Sequence, residues 1–219
     1  LQAREFDVQV SVDGADWTTV WTTSQGDAEK SYIYLPQAIS RYVRLNLHRS
    51  VEDQGFAIRR IEVKPYDFSR TINHFFQNIA REDRVGLYPK YLLGRQTYWT
   101  TTGTGEGETQ ALMNEEGMVE VDKGSFSIEP FLYADDRLVT WADVELSQGL
   151  RKGYLPIPSS EWRTDRLTMR ITAFVTGEYG TGNLCIRYLI TNSASRAQSV
   201  RLFLALRPFQ ITPTGQNWR

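Results

Sequence analysis

The alternation of apolar and polar residues marks out strands over most of this chain. In the first segment Phe6, Val8 and Val10 fall on one side, while Asp7 and Gln9 fall on the other. A period of two with one polar side predicts a strand that is buried on one face. By the same reasoning, further strands are predicted at positions 17–22, 32–36, 41–47 and 58–63. Residues 1–66 are therefore expected to form a β-unit.

The period changes from two to that of a helix after residue 66. Ile72, Phe75, Phe76 and Ile79 recur at helical spacing, and Ser69 stands where an N-cap is expected. The pattern predicts one amphipathic helix of about three turns. We expect it to be a short linking helix within residues 67–87.

A second β-region is predicted over residues 88–219. Strand-like segments occur at positions 97–101, 111–114, 118–121, 126–131, 138–144, 167–175, 184–191 and 200–206. Many short strands without intervening helices are typical of a sandwich rather than an α/β sheet. The expected fold class is thus all-β, with a second antiparallel β-sandwich after the helix.

The first β-unit resembles the back half of a discoidin domain, also called a coagulation factor 5/8 type C domain. The motifs that carry the resemblance are FDVQVS at 6–11, DG at 13–14, WTTV at 17–20, RYVRL at 41–45 and IRRIEV at 58–63. The resemblance implies a partial, galactose-binding-like jelly roll, in a family that often binds sugars or membrane surfaces. It also implies that the front half, with most ligand loops and a structural calcium, would precede Leu1. We further expect Trp17 to pack in the core and Arg44 to pair with a carboxylate.

Residues 88–210 look like the β-sandwich that precedes the (α/α)6 barrel of some bacterial glycoside hydrolases and phosphorylases. The phrases that carry this resemblance are QTYWT at 96–100, GSFSIEPF at 124–131, TWADV at 140–144, LPIP at 155–158 and ALRPFQ at 205–210. The resemblance implies that the sandwich braces a barrel, which would follow Arg219 and hold the catalytic carboxylates. It favours a periplasmic or extracellular parent protein.

Four carboxylates of the second region are candidates for sugar chemistry: Glu129, Asp143, Glu145 and Glu161. A glycosidase needs two carboxylates about 5–9.5 Å apart. We predict that Asp143 shares a strand face with Trp141, and that Glu129 is buried and paired. An aromatic ring beside a carboxylate suits a sugar, because the ring stacks on the pyranose while the carboxylate accepts hydroxyl protons. Of these residues, Glu129, Trp141 and Asp143 are predicted to contact carbohydrate and not to catalyse.

Two further tryptophans are predicted to contact carbohydrate, Trp99 and Trp162. Trp162 follows Pro156 and Pro158 in a segment that we interpret as a loop, where core packing is a poor explanation for a large aromatic ring. It could stack on a ligand or dock against the expected barrel, and the sequence leaves both open.

The composition argues against several other classes. A net charge of −1 gives no support to a nucleic-acid-binding surface. The single cysteine, Cys185, forms no intrachain disulfide, and His48 and His74 lack ligand spacing, so no metal site is predicted. No apolar stretch comes close to the length of about 20 residues that a transmembrane helix needs. The glycine-rich segment 103–107 lacks a phosphate-loop ending and is expected to be a hairpin loop.

The sequence therefore predicts a non-catalytic carbohydrate-binding and scaffolding fragment of a larger bacterial polysaccharide-processing enzyme. Its expected partners are a glycan and a catalytic barrel of the same chain, and no cofactor is expected. A truncated discoidin unit would expose a strand edge, so self-association is also expected. Two alternatives stay open: a mutarotase-like or lyase-like site using Glu129 and Asp143, and a cell-surface adhesion module.

Overall fold

The computed structural model describes residues 3–26, 30–35, 39–50, 55–103, 110–122, 124–177 and 182–211. The chain folds as two compact units, 1–79 and 80–219, and the division falls inside the helix that follows the first β-region. All sheets are antiparallel, and the described residues contain a single α-helix. The predicted all-β class with one short helix is therefore confirmed.

The first unit contains a three-stranded antiparallel sheet. Its strands are β1 (Ala3–Ser11), β2 (Thr18–Thr23) and β3 (Tyr42–Ser50), in the order β2-β1-β3. The predicted alternation of β1 buries Phe6 and Val8, and the ring of Trp21 lies 5.1 Å from that of Phe6. On the other side of β1, Asp7 accepts hydrogen bonds from Asn46 and pairs with His48.

Two predicted strands of this unit are wrong. Residues 32–35 form no strand, and neither does the segment 58–63 (Pro36 lies outside the described residues). Ile58, Ile61 and Val63 are exposed instead of buried. Alternation alone makes no strand, because a strand needs a neighbour to satisfy its backbone groups, and neither segment pairs with a described strand.

The predicted environments of Trp17 and Arg44 are also wrong. Trp17 is half-buried and donates its indole N–H to the carbonyl of Gly14 at 3.1 Å. The guanidinium of Arg44 lies 4.0 Å from the centre of the Trp17 ring and donates to the side-chain oxygen of Gln9 at 3.0 Å. A cation–π contact and a neutral amide thus replace the core packing and the carboxylate that we expected.

The predicted helix is present as α1 (Ile72–Glu82). It begins later than expected, because Thr71 and not Ser69 caps it: the Thr71 hydroxyl accepts the backbone N–H of His74 at 3.2 Å. The buried residues of the helix include two of the predicted apolar positions, Phe75 and Ile79.

In the second unit, the described residues form ten strands in two antiparallel sheets. They are β4 (Trp99–Gly103), β5 (Gln110–Asn114), β6 (Val119–Glu120), β7 (Ser127–Ala134), β8 (Arg137–Val139), β9 (Glu145–Arg151), β10 (Leu155–Arg163), β11 (Leu167–Thr176), β12 (Asn183–Asn192) and β13 (Val200–Arg207). One sheet has the order β13-β7-β6-β5-β4, with β8 paired to β7, and the other has the order β12-β11-β10-β9. The glycine-rich loop predicted after Gly103 lies outside the described residues.

The core of this unit lies where its two sheets face each other. Met169, Ile171 and Ala173 alternate along β11 and are fully buried, and they pack in one cluster with Met113 and Leu132 of the other sheet. Each large apolar side chain in such a core contributes about 1.5–3 kcal/mol by leaving water. The core fixes which face of the four-stranded sheet points outward.

One predicted strand in this unit is wrong, and the correction separates two candidate site residues. β8 ends at Val139, and Trp141–Asp143 form a 3₁₀ turn. The Thr140 hydroxyl accepts the N–H of Ala142, and the Asp143 carboxylate accepts the N–H of Thr140 at 2.8 Å. This capping box satisfies the backbone locally, so Trp141 and Asp143 do not share a strand face.

Candidate functional site

A groove of about 580 Å³ runs over the outer face of the four-stranded sheet. Its volume falls in the range of pockets that hold small ligands. The outward side chains and the glycine that line it are Ser147, Gly149 and Arg151 from β9, Ile157, Ser159 and Glu161 from β10, Arg170, Thr172 and Phe174 from β11, and Arg187 from β12. Hydroxyl groups, arginines, one carboxylate and one aromatic ring thus face the same space.

Strand register explains why these residues meet. Ser159 lies opposite Gly149 on one side and Thr172 on the other, and Thr172 lies opposite Arg187. The four residues form a row across the whole sheet. Their neighbours along each strand point the other way, so Ile171 enters the core while Thr172 faces the groove.

The groove floor is open at Gly149, on the edge strand β9. Apart from Gly149 and its two neighbours in the chain, no residue has an atom within 4 Å of the position that a Cβ would occupy there. A small residue at this point of β9 leaves room that a side chain would fill. A glycine inside a strand is often found where a ligand approaches the backbone closely.

Glu161 is held in its ionised form by two arginines. Arg170 donates to it through Nη2 at 2.6 Å and through Nε at 3.0 Å, and Arg163 donates at 2.9 Å. The hydrogen bond from Arg170 is the main cause that lowers the pKa of Glu161, and the bond from Arg163 lowers it further. The carboxylate can therefore accept hydrogen bonds, but it is poorly suited to donate a proton.

Trp99 lies beside a second, smaller hollow of about 250 Å³. Trp99 is 37% exposed, and its neighbour Tyr98 also lines the hollow. This hollow and the main groove share the backbone region around Gly149 and Ser159. Of the three tryptophans that the sequence predicts to contact sugar, Trp99 is therefore the one that lies near the groove.

The other two tryptophans are core residues. Trp162 is 2% exposed, lies in β10 and donates its indole N–H to the carbonyl of Glu116 at 2.8 Å, so the predicted loop location is wrong. Trp141 is 7% exposed and donates to the carbonyl of Tyr88 at 3.1 Å. Neither ring presents a free face on which a pyranose could stack.

Glu129 is buried and paired, as its apolar surroundings predict. Its carboxylate accepts a hydrogen bond from Nε of Arg207 at 2.8 Å, and it is only 3% exposed. Burial raises the pKa of Glu129 to about 7, although Arg207 acts in the opposite direction. Arg207 also donates to the carbonyl of Leu87 and packs against the ring of Phe131. These contacts fix the carboxyl group within the sandwich, where it has a structural role.

Asp143 has a separate set of partners. Burial acts to raise its pKa, but hydrogen bonds from Thr140 and Arg84 together lower it below the usual value. Arg84 lies 2.7 Å from the carboxylate. Glu129 and Asp143 share no partner, and neither lines the groove or the smaller hollow.

The sequence interpretation missed two further buried carboxylates. Glu120 accepts the backbone N–H groups of Gly124 at 2.9 Å and Ile211 at 2.8 Å. Glu116 pairs with Lys90 at 2.9 Å, and burial raises its pKa. Glu120 therefore serves the fold by satisfying two backbone donors.

The groove residues were also missed, although a signal for them existed. Arg170 and Thr172 occupy the polar positions of the strand predicted at 167–175, and Arg187 occupies one in the strand predicted at 184–191. Strands β9 and β10 were not predicted, because their serine, glycine and proline content is typical of loops. Without them, the arginines had no neighbouring strands with which to form a surface.

Comparison of the chain with protein-family models, with curated proteins and with solved structures finds no match. Within the described residues, no group of three or more histidine, cysteine or acidic residues is placed to hold a metal ion. No α-helix in that part of the chain is long and apolar enough to cross a membrane. The resemblances to a discoidin domain and to a barrel-associated sandwich stay predictions.

Proposed function

We propose that this chain binds carbohydrate without cleaving it and serves as a binding and positioning part of a bacterial polysaccharide-processing enzyme. The observation that carries the proposal is the groove on the outer face of the four-stranded sheet of the second unit. The link to a polysaccharide-processing parent comes from the resemblance of residues 88–210 to a barrel-associated sandwich.

The groove offers the groups that a sugar requires. Ser159 and Thr172 present hydroxyls, Glu161 presents an ionised carboxylate, and Phe174 presents an aromatic ring. Sugar hydroxyls exchange hydrogen bonds with such groups, and the apolar face of a pyranose packs on an aromatic ring. A broad, shallow sheet face also suits an extended chain of sugars better than a single ring.

The carboxylates favour binding over catalysis. Glycoside hydrolysis requires one protonated and one ionised carboxyl group across the same bond. The groove contains one carboxylate, Glu161, and its pKa is lowered. Glu129 has the raised pKa of a potential acid, but it lies buried against Arg207 and away from that groove.

The proposal is tested by closing the groove at Gly149. Binding of the full chain is screened on a glycan array and then measured by isothermal titration calorimetry with the best ligand. Gly149→Trp places a large ring in the open space of the floor and is expected to abolish binding. Because no atom lies near that position, the variant should fold normally, which circular dichroism and thermal unfolding check.

The matched control is Gly149→Ala, which adds one methyl group at the same position. It is expected to retain binding within about twofold, since a methyl group leaves most of the groove open. No binding of any saccharide by the wild-type chain would overturn the proposal. Equal binding by wild type and Gly149→Trp would show that the saccharide binds at another place on the chain.

A further inference from the structure

The groove carries an excess of positive charge that its own residues do not neutralise. Arg151, Arg170 and Arg187 line it, against the single carboxylate of Glu161. The whole chain has a net charge of −1, so this excess is a local property of one sheet face. Local charge of one sign attracts a ligand of the other sign.

Glu161 supplies a single negative charge to the groove, and that charge is already paired with Arg170 and Arg163. It accepts both donors of Arg170 and a further one from Arg163. Arg151 and Arg187 form no ion pair and no side-chain hydrogen bond with any residue that the structure describes. Two guanidinium groups thus face the groove with their donors available.

The available arginines lie at opposite edges of the sheet. Arg151 is on β9 and Arg187 is on β12, and these are the two edge strands of the order β12-β11-β10-β9. Three strand spacings separate the edges, which corresponds to about 14 Å. A chain that carries more than one anionic group can contact an arginine at each edge.

We infer that the groove binds an acidic oligosaccharide, with Arg151 and Arg187 contacting anionic groups of different sugar rings. This inference rests on the proposed carbohydrate-binding function and specifies its ligand class. Guanidinium groups remain charged at every physiological pH and bind carboxylate or sulfate through two parallel hydrogen bonds. Between the two arginines, Phe174 and Thr172 provide a ring and a hydroxyl for the sugar itself.

The experiment compares charged and neutral forms of one oligosaccharide. An oligomer of galacturonic acid, the same oligomer after reduction of its carboxyl groups, and a sulfated neutral oligosaccharide of equal length are titrated into the full chain. Wild type is expected to bind at least one anionic probe at least about tenfold more tightly than the neutral probe, with affinity that falls as salt is added. A preference for the uronic acid or for the sulfated probe identifies the anionic group.

Three variants test which arginines cause the preference for the anionic probe. Arg151→Gln and Arg187→Gln are each expected to weaken binding of the preferred anionic probe about tenfold, because each removes one charge-assisted contact. They should weaken binding of the neutral probe less than binding of the anionic probe. Arg201→Gln, an exposed arginine on β13 of the other sheet, is the matched control and should change nothing.

The outcomes separate this inference from the function on which it rests. Equal binding of charged and neutral probes, unaffected by Arg151→Gln and Arg187→Gln, would overturn the acidic ligand while the carbohydrate site stands. Failure of every saccharide to bind, in these titrations and on the glycan array, would overturn both.

Discussion

The buried interior and the outer face of the second unit both contain acidic and basic side chains. The two regions differ in whether those side chains have protein partners. Inside, Glu129 pairs with Arg207, and Glu116 pairs with Lys90. On the outer face, the carboxylate of Glu161 is paired with Arg170 and Arg163, but Arg151 and Arg187 have no described partner. Both of these buried carboxyl groups face a protein cation, whereas the outer face has guanidinium donors without a described partner.

This difference shows where function is to be expected. A buried carboxylate with a shifted pKa can mark an active site, but it marks structural ion pairs as well. Burial raises the pKa of Glu129 to about 7, yet its carboxyl group is hydrogen-bonded to Arg207 inside the protein. Arg151 and Arg187 of the groove have no described partner, so they are the residues that we expect to contact a ligand.

The largest expected effect is the loss of stability when the interior residue Trp162 is replaced. Trp162→Ala removes a fully buried side chain and the hydrogen bond to the carbonyl of Glu116, and should lower the free energy of unfolding by about 3–5 kcal/mol. Urea unfolding measures the loss. Trp99→Ala, at a half-exposed site, is the matched control and should cost about 1 kcal/mol or less. Equal losses in the two variants would contradict the placement of Trp162 in the core.

The next effect is a pH dependence of stability that comes from Glu129. Its pKa is about 7 in the folded chain against an unperturbed 4.5, so the folded state holds a proton that the unfolded state releases. Stability should therefore fall as pH rises from 4.5 to 7, by about 3 kcal/mol from this group.

Glu129→Gln tests that dependence. The amide stays neutral at all pH values and keeps an oxygen that can accept from Arg207. Urea unfolding across this pH range should show a shallower loss of stability in the variant than in wild type. Identical pH profiles for the two proteins would show that Glu129 does not hold its proton in the folded state.

A smaller effect is expected at the aromatic ring of the groove. Phe174→Ala should weaken saccharide binding about tenfold, or about 1.4 kcal/mol, because the variant loses the apolar surface on which a pyranose packs. Calorimetry with the ligand found on the array measures the change, and Phe174→Leu separates loss of the aromatic ring from loss of apolar volume. Unchanged affinity in Phe174→Ala would show that the ring does not contact the saccharide.

The smallest effect concerns the ion pairs of Glu161. Glu161→Gln should lower the free energy of unfolding by only about 0.5 kcal/mol, because Arg163 and Arg170 remain hydrated at the surface. Thermal unfolding measures the change. A loss as large as that in Trp162→Ala would show that the outer face stabilises the fold to the same degree as the interior.

The sequence predicted the elements that depend on local pattern. β1, β11 and β12 are long alternating strands, and α1 carries a helical apolar stripe, so each was found. β9 and β10 were missed, because proline, serine and glycine obscure their alternation and only pairing with β11 makes them strands.

The site was harder to predict than the fold. Its residues come from four strands, and register brings Ser159, Thr172 and Arg187 into one row. The tryptophans and acids that the sequence favoured were chosen by residue type. Burial decides their role, and Trp162 and Glu129 are buried by contacts from distant parts of the second unit.

The central claim is that ligands contact the outer face of the four-stranded sheet while the interior ion pairs stay undisturbed. An NMR titration of the full, isotope-labelled chain with the saccharide selected on the array tests it directly. We predict that the amide signals of Gly149, Thr172 and Arg187 shift, while the indole N–H signals of Trp141 and Trp162 do not. Shifts confined to those indoles and to residues around Glu129 would contradict the account.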